Sequence, residues 1–262
     1  MSRALSAAIY ALSGLIGVAA FAYPFLLASV PGTSDAGTRA APLLTTALLG
    51  LCLLALLIEV QGEAVSAKVV AALGMLVALA SVLRFVETAI PGPGGFSPIF
   101  VPIILAGYVF GSRFGFLMGA MTLLVSALLT GGVGPWLPYQ MFVAAWVGFT
   151  SGWLPHPQHP WLQVALLTTF GAFWGMAYGV LTNLYFWPFF VGEAGLSYQP
   201  GGGLRAAVSH YAAFYIATSL LWDLLRAAGI AFLMFAVSRP TVRALTRFRD
   251  RFGFILTEAA RA

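Results

Sequence analysis

The sequence predicts an all-α membrane protein, a polytopic helical bundle of about eight membrane helices joined by short loops. Hydrophobic residues make up 60% of the chain and charged residues 8%, against about 25% charged residues in an ordinary soluble domain. The mean hydropathy is +0.93, and apolar runs near the length of a membrane span recur along the chain. A soluble fold of this length needs far more charge on its surface, so these runs are predicted to face lipid.

Eight apolar segments are candidate membrane helices, since a span needs about 20 apolar residues, or somewhat fewer where the helix is short. They are residues 5–29, 43–58, 67–86, 98–110, 114–129, 139–154, 162–187 and 206–237. The first is too long for the apolar part of a cleaved signal peptide, about 7–15 residues, so we expect a retained helix. The fourth is short enough to be re-entrant or tightly coupled to the fifth, and the eighth is long enough to begin outside the bilayer.

Glycine- and proline-rich stretches separate these segments at points where a helix cannot continue. They are residues 31–35, 91–95, 131–135, 155–160 and 192–203. If the segments alternate in direction, all of these loops except 155–160 fall on one side of the membrane. We therefore expect a binding site on that side.

The basic residues predict which side of the membrane is cytoplasmic. Six of them cluster near the end of the chain, at Arg239, Arg243, Arg247, Arg249, Arg251 and Arg261. A basic cluster just after an apolar span is typical of a cytoplasmic flank, so both termini are expected in the cytoplasm and the glycine-rich loops outside. The net charge of +5 does not indicate nucleic-acid binding, because no basic stripe with interleaved aromatic residues exists outside this cluster.

Several kinds of site lack the residues that they need. The single cysteine, Cys52, excludes an intramolecular disulfide and a cysteine-based metal cluster, and we interpret it as a small core residue. His156 and His159 lie in a proline-rich turn without a neighbouring carboxylate or cysteine, so no metal site is expected. No Walker A motif is present, so the chain does not bind ATP through a P-loop, and we expect no cofactor.

Two pairs of opposite charges fall inside predicted helices. Arg84 and Glu87 stand one turn apart near an outer helix end, and Asp223 and Arg226 repeat this spacing within the eighth segment. Charges inside a membrane are costly and indicate function, unless each pair only holds helices in register. Position favours Arg84 and Glu87 as binding residues, whereas we expect Asp223 and Arg226 in the inner half with a structural or coupling role.

Aromatic and amide side chains gather at the outer loops and outer helix ends. They are Phe96, Trp136, Tyr139, Gln140, Asn183, Tyr185, Trp187 and Tyr198. One interpretation is an interfacial belt of aromatic residues. The other is a ligand pocket with apolar walls and a few polar anchors.

One face of the third predicted helix carries small residues in place of large side chains. Ala67, Ala71, Gly74 and Ala78 follow one another at i, i+4, i+7 and i+11. Such a face lets another helix approach closely, either inside the bundle or in a partner protein. A similar alanine face occurs in residues 4–11 of the first segment.

Two motifs between residues 64 and 237 are rarely produced together by chance. They are Leu-Ala-Gly-Tyr-Val-Phe-Gly at residues 105–111 and Gly-Pro-Trp-Leu-Pro-Tyr-Gln-Met at residues 134–141, and both follow Phe-Ser-Pro-Ile-Phe-Val-Pro at residues 96–102. By these motifs the chain resembles the substrate-capture (S) subunits of energy-coupling factor (ECF) transporters, which take up vitamins in prokaryotes.

The resemblance implies a six-helix substrate-binding domain at residues 61–238, an additional transmembrane hairpin at residues 1–60 and a basic cytoplasmic tail at residues 239–262. Such subunits are not enzymes and lie in the prokaryotic cell membrane with both termini in the cytoplasm. They work with a transmembrane coupling (T) subunit and two ATPase subunits. A small-residue face on their first helix docks the coupling subunit, and the residues here that match this face are Ala67, Ala71, Gly74 and Ala78.

The resemblance also implies that a vitamin is bound between the outer loops and the outer helix ends. The residues at that position are Arg84, Glu87, Phe96, Trp136, Tyr139, Gln140, Asn183, Tyr185 and Tyr198. The aromatic mouth and the Gly-Pro-Trp-x-Pro motif are similar to members linked to cobalamin, with riboflavin or folate as other candidates.

Two further function classes stay open at this point. An integral membrane enzyme acting on lipid or isoprenoid substrates would need catalytic groups that converge at one membrane depth. A stand-alone secondary transporter would be expected to carry an internal repeat, and none is found in the sequence.

Overall fold

A computed structural model of the protein describes residues 15–22, 67–89, 94–190 and 192–251, together with positions 25, 46, 47 and 50. Every regular element in these residues is helical, which confirms the predicted fold class. From residue 67 onward the helices are α1 (Ala67–Ala89), α2 (Phe100–Phe110), α3 (Ser112–Thr130), α4 (Leu137–Ser151), α5 (Pro160–Phe186), α6 (Leu204–Thr218) and α7 (Leu220–Arg251). A 3₁₀ turn, Trp187–Phe189, follows α5 directly.

Four described segments are long and apolar enough to cross a membrane. They are Lys68–Ala89, Ser112–Thr130, Pro160–Phe189 and Leu220–Arg251. Large apolar side chains on the outside of the bundle, such as Val70, Leu79, Phe173 and Phe232, are more than half exposed. Apolar surface on this scale is expected to face lipid rather than water. The chain is therefore a multi-pass membrane protein.

The helices run between two ends of the bundle, which differ in their loops. The glycine-rich end comprises residues 94–99, 131–136 and 187–203 except residue 191, and the Pro-His end comprises Gly111, residues 152–159 and the end of α7. At the glycine-rich end, a Cβ atom added to Gly95 would lie 2.0 Å from the backbone oxygen of Trp222, so these two backbone segments are in direct contact. At the Pro-His end, the rings of Tyr108 and His156 stack with centroids 4.2 Å apart.

Helix α6 does not traverse the bundle. Because α5 ends and α7 begins at the glycine-rich end, α6 must start and finish at that end as well. Its contacts lie there: the Tyr211 hydroxyl donates to the Val180 oxygen, and the Ser219 hydroxyl donates to Asn183 Oδ1 at 3.2 Å. Among the described helices, α1–α5 and α7 therefore connect the two ends, and α1, α3, α5 and α7 are the ones long enough to cross a membrane.

The eighth predicted segment, residues 206–237, is two helices, so the prediction of one continuous helix was wrong. The backbone breaks at Ser219, with φ −127° and ψ −25°. No glycine or proline marks this break. Instead, the hydroxyls of Thr218 and Ser219 bond to the Phe214 oxygen and to Asn183, and such side-chain bonds compete with the helical backbone. Helix α7 then continues through much of the predicted basic tail to Arg251.

Helix α2 forms the centre of the bundle. Ten of its eleven residues are buried, between α3, α4, α5 and α7. A helix of this length spans about 16 Å, roughly half of the hydrocarbon core of a bilayer, so it lies inside the protein. It ends at Gly111, whose φ of 94° lies in a region that favours glycine.

Four glycines let α2, α3 and α4 pack backbone against backbone, and we call them the glycine seam. A Cβ atom on Gly107 or Gly115 would lie 2.1 or 2.0 Å from the Gly148 oxygen, and one on Gly119 would lie 2.1 Å from the Ala144 oxygen. A Cβ atom on Gly148 would in turn lie 2.0 Å from the Gly115 oxygen. Small residues permit this close approach. The resulting van der Waals contact stabilises helix packing in a membrane, where lipid provides no hydrophobic driving force for it.

The described part of the predicted N-terminal hairpin is a helical segment, residues 15–22, that packs on α4. A Cβ atom on Gly17 would lie 2.5 Å from the ring of Phe142. The buried ring of Phe21 lies 5.3 Å from Tyr139 and 5.6 Å from Trp146, measured between centroids. Most of the second predicted helix, including Cys52, and the alanine face of residues 4–11 fall outside the described residues.

We expect Gly148→Leu to lower the free energy of unfolding by about 3 kcal/mol or more, because the side chain would force α4 away from α3. This exceeds the roughly 1 kcal/mol that a residue other than glycine gains in a helix interior. Gly74→Leu is the matched control, since a Cβ atom there meets nothing within 4 Å. Melting temperatures of the detergent-purified variants measure the difference, and equal melting temperatures would contradict the glycine seam.

Candidate functional site

The nine residues predicted to bind a ligand lie at or beside the glycine-rich end, but in separate environments. Three of them, Arg84, Trp136 and Gln140, line one cleft. The others take part in ion pairs, aromatic contacts or internal hydrogen bonds. The nine predicted residues therefore do not form one pocket, although their positions in the sequence placed them at the same end of the bundle.

The cleft opens between the end of α1, the last two turns of α3 and the start of α4. Its volume is about 110 Å³, and its lining residues are Arg84, Leu123, Ser126, Ala127, Thr130, Gly132, Trp136 and Gln140. The ring of Trp136 is 43% exposed, while its indole N–H donates to the Gly132 oxygen at 3.2 Å. Ser126 and Thr130 were not among the predicted binding residues, although their i, i+4 spacing on an apolar helix places two hydroxyls on one face.

Arg84 and Glu87 form the predicted pair, and a buried serine joins them. Arg84 Nη1 lies 3.5 Å from Glu87 Oε1 and 3.4 Å from Ser97 Oγ. The Ser97 hydroxyl lies closer to the carboxylate, at 3.1 Å from Oε1 and 3.2 Å from Oε2. Glu87 is therefore supported by two neighbours, the Arg84 guanidinium, which attracts it more strongly, and the Ser97 hydroxyl, which lies closer.

Asp223 and Arg226 also pair, in the first two turns of α7. The Asp223 side chain is 3% exposed and accepts a second hydrogen bond, from the Tyr215 hydroxyl at 2.9 Å. It fits against α5 because a Cβ atom on Gly179 would lie 1.7 Å from Asp223 Oδ2. The Arg226 guanidinium lies over the ring of Tyr178, 5.5 Å from its centroid, a cation–π contact.

Asp223 and Arg226 were expected in the inner half of the membrane, but they lie at the glycine-rich end, the same end as Arg84 and Glu87. Arg226 is close enough to act electrostatically on Glu87, and all four charges act on Tyr178. The cause is the helix break at Ser219, which starts α7 at the glycine-rich end and so places Asp223 in its first turn. The two pairs therefore form one cluster of balanced charge beside the cleft.

Tyr139 and Tyr185 form a buried aromatic contact behind the cleft. Their ring centroids are 4.6 Å apart, and Tyr185 also lies 5.7 Å from Phe189. Phe21 of the N-terminal segment covers the other side of Tyr139. These rings form a wall that joins α4, α5 and the N-terminal segment.

Trp187 holds the long loop of residues 192–203 against the bundle. Its ring is fully buried, and its indole N–H donates to the Leu196 oxygen at 2.9 Å. The rings of Tyr198 and Phe25 lie 5.1 and 5.9 Å from Trp187. Burial raises the pKa of the Tyr198 hydroxyl, which therefore stays neutral, and this hydroxyl makes no hydrogen bond to any described residue.

Phe96 and Asn183 are engaged in internal contacts. Phe96 packs on α7, where a Cβ atom on Gly229 would lie 2.5 Å from its ring. The Asn183 amide donates to the Gly179 oxygen at 2.9 Å and accepts from Ser219. Asn183 thus stabilises the junction between α6 and α7.

The small-residue face of α1 points out of the bundle. Ala71, Gly74 and Ala78 are exposed, and Gly74 has open space around it. The opposite face of α1, with Ala72 and Ala80, is the buried one. An exposed face of this kind is free to contact a helix of another protein.

The two histidines of residues 155–160 have structural contacts. His156 stacks on Tyr108, and its Nε2 atom lies 3.1 Å from the Tyr108 oxygen. His159 precedes α5 and its backbone oxygen accepts the amide of Leu162 at 3.1 Å. Among the described residues, no group of three or more His, Cys, Asp or Glu side chains is placed to hold a metal ion.

Comparison with known proteins gives a family for most of this structure. Residues 68–238, about two thirds of the chain, match the family described as "ECF transporter, substrate-specific component". This match confirms the resemblance that the motifs at residues 96–141 indicated. No curated protein and no solved structure matches the chain.

We expect Asp223→Ala to lower the free energy of unfolding by about 3–5 kcal/mol, because it leaves Arg226 largely buried without its carboxylate. The double variant Asp223→Ala/Arg226→Leu should recover most of this loss, since it removes the unpaired charge as well. Melting temperatures in one detergent compare the two. A single variant that melts like the wild type would show that the pair is not buried.

Proposed function

Because the chain belongs to the ECF transporter substrate-specific components, we propose that it captures a vitamin or related micronutrient outside a prokaryotic cell and delivers it inward. The observation that carries the proposal is the family match over residues 68–238, which covers α1 to α6 and more than half of α7. A member of this family is a membrane subunit that binds the transported substrate, not a catalyst.

The proposed partners are a transmembrane coupling subunit and two ATPase subunits, which supply the energy. The exposed small-residue face of α1 supports this part of the proposal, because close helix packing needs a smooth face, and the described residues leave this one uncovered. We propose that Ala67, Ala71, Gly74 and Ala78 contact the coupling subunit.

The proposed orientation puts the glycine-rich end outside and the Pro-His end in the cytoplasm. Arg243, Arg247, Arg249 and Arg251 on the last turns of α7 support it, since basic residues flank cytoplasmic helix ends. Arg249 Nη1 donates to the Val109 oxygen of α2 at 3.1 Å, which ties this basic end to the Pro-His end. The N-terminus would lie on the same side if the first predicted hairpin crosses the membrane twice.

The proposed substrate site is the glycine-rich end, with Arg84, Trp136 and Gln140 in direct contact with the substrate. The cleft of about 110 Å³ is smaller than the roughly 300–1,000 Å³ of typical small-molecule sites, so the loops around it must open to admit a vitamin. Release of the contact between Trp187 and Leu196 would free the longest loop. Glu87, Phe96, Tyr139, Asn183, Tyr185 and Tyr198 would then form the walls of the enlarged pocket.

Cobalamin is one candidate substrate within this proposal. The glycine-rich end carries the exposed ring of Trp136 and, in the long loop, the ring of Tyr198, against which a large conjugated ring system can pack once the loop opens. Other vitamins fit the family equally well.

We expect Ala78→Leu to abolish co-purification of this chain with the coupling and ATPase subunits of its host while the chain still folds, because the larger side chain separates the two helices. Ala236→Leu is the matched control, since it adds the same bulk at an exposed position of α7. Affinity purification followed by mass spectrometry of the captured proteins makes the comparison. If both variants retain the ATPase subunits as the wild type does, the docking face is elsewhere, and if the wild type captures none, the transporter assignment of the partners is wrong.

A further inference from the structure

The cleft beside Arg84 has an electrostatic character that indicates what it binds. Among its lining residues Arg84 is the only charged side chain, and it is 30% exposed. The nearest carboxylate, Glu87, does not line the cleft. A group bound in the cleft therefore meets a cation and an amide but no carboxylate, while the hydroxyls of Ser126 and Thr130 donate to backbone oxygens of their own helix.

Arg84 is free to change partner without leaving Glu87 unpaired. Its contact with Glu87 is long, at 3.5 Å, whereas Ser97 lies 3.1 and 3.2 Å from the two carboxylate oxygens. Arg226 adds a smaller electrostatic contribution to Glu87. A ligand anion can therefore share the Arg84 guanidinium with Glu87, which keeps its hydrogen bond from Ser97.

Two of the helices that line the cleft also carry buried hydroxyls outside it. Ser81 lies one turn before Arg84 on α1, and Thr122 lies one turn before Ser126 on α3. Both side chains are fully buried, and neither hydroxyl makes a hydrogen bond to any described residue. Buried hydroxyls are normally satisfied, so each of these positions indicates a place for a bound water or another polar atom.

The size of the cleft suits one functional group rather than a whole vitamin. Its volume of about 110 Å³ is well below the roughly 300–1,000 Å³ of sites that enclose a whole small molecule. Trp136 offers an exposed ring face at the mouth, and its N–H is already used. The cleft thus fits a compact anion attached to an apolar or planar ring.

We infer that the cleft is a carboxylate subsite, in which Arg84 binds a carboxylate of the transported molecule and Trp136 packs on the ring that carries it. One guanidinium matches the single charge and the two oxygens of a carboxylate. Gln140 donates a further hydrogen bond from its amide. The inference rests on the proposed function and narrows it to vitamins that carry a carboxylate, in preference to cobalamin, whose anionic group is a phosphodiester.

The test is equilibrium dialysis of the purified chain against an equimolar mixture of vitamins, with the retained compounds identified by mass spectrometry. Nicotinate, pantothenate, biotin and folate carry a carboxylate, whereas nicotinamide, thiamine, riboflavin, pyridoxine and cobalamin do not. We expect the wild type to retain an acid and Arg84→Gln to bind that acid at least tenfold more weakly, as expected when a hydrogen bond to a charged group is lost. Arg205→Gln, which removes the same charge from an exposed position at the glycine-rich end, should bind it like the wild type.

Glu87→Gln separates a ligand contact from a structural role of the Arg84–Glu87 pair. If Arg84 acts only through its ion pair, Glu87→Gln weakens binding as much as Arg84→Gln does. If Arg84 holds the ligand carboxylate, Glu87→Gln binds the acid more tightly, because a competing negative charge is removed. Melting temperatures of both variants identify any loss of folding.

The outcomes distinguish this inference from the proposed function. Retention of a vitamin without a carboxylate, or equal affinity of Arg84→Gln and wild type for an acid, would overturn the carboxylate subsite and leave the capture function intact. Retention of no vitamin by the folded wild type would overturn both.

Discussion

The close approach of α2, α3 and α4 is the constraint on which the rest of the structure depends. Lipid gives helices no hydrophobic reason to associate, so van der Waals contact between backbones must hold the bundle together. Gly107, Gly115 and Gly148 permit that contact because each meets a neighbouring backbone where a side chain would have to stand. The same contact brings the end of α3 against the start of α4, and so places Trp136 and Gln140 opposite Ser126 and Thr130 across the cleft.

Helix α1 connects the three features that a capture subunit needs. Its last turns carry Arg84 and Glu87 at the cleft, and its outward face carries Gly74 and Ala78 for a partner. Its inward face packs mainly on α3, and its charged end lies within electrostatic range of Arg226 on α7. A change in the position of α1 on docking would therefore act directly on the residues that line the cleft.

The sequence predicted the helices of the bundle well, because long apolar runs and glycine–proline breaks have direct physical meaning in a membrane. It failed at Ser219, where hydroxyl groups rather than glycine or proline end the helix. Because of that error, Asp223 and Arg226 were predicted several turns away from the glycine-rich end, and the cluster of four charges was not predicted. Side-chain partners such as Ser97, and the internal use of Asn183 by α6 and α7, depend on contacts between distant segments that periodicity does not encode.

The central claim, capture of a vitamin by this chain alone, is tested most directly by native mass spectrometry of the gently purified protein without its partners and without ATP. We expect a single bound small molecule per chain, with the mass of a vitamin, that dissociates when the protein unfolds. A folded chain that emerges empty, and stays empty after incubation with micromolar concentrations of each B vitamin, would contradict it.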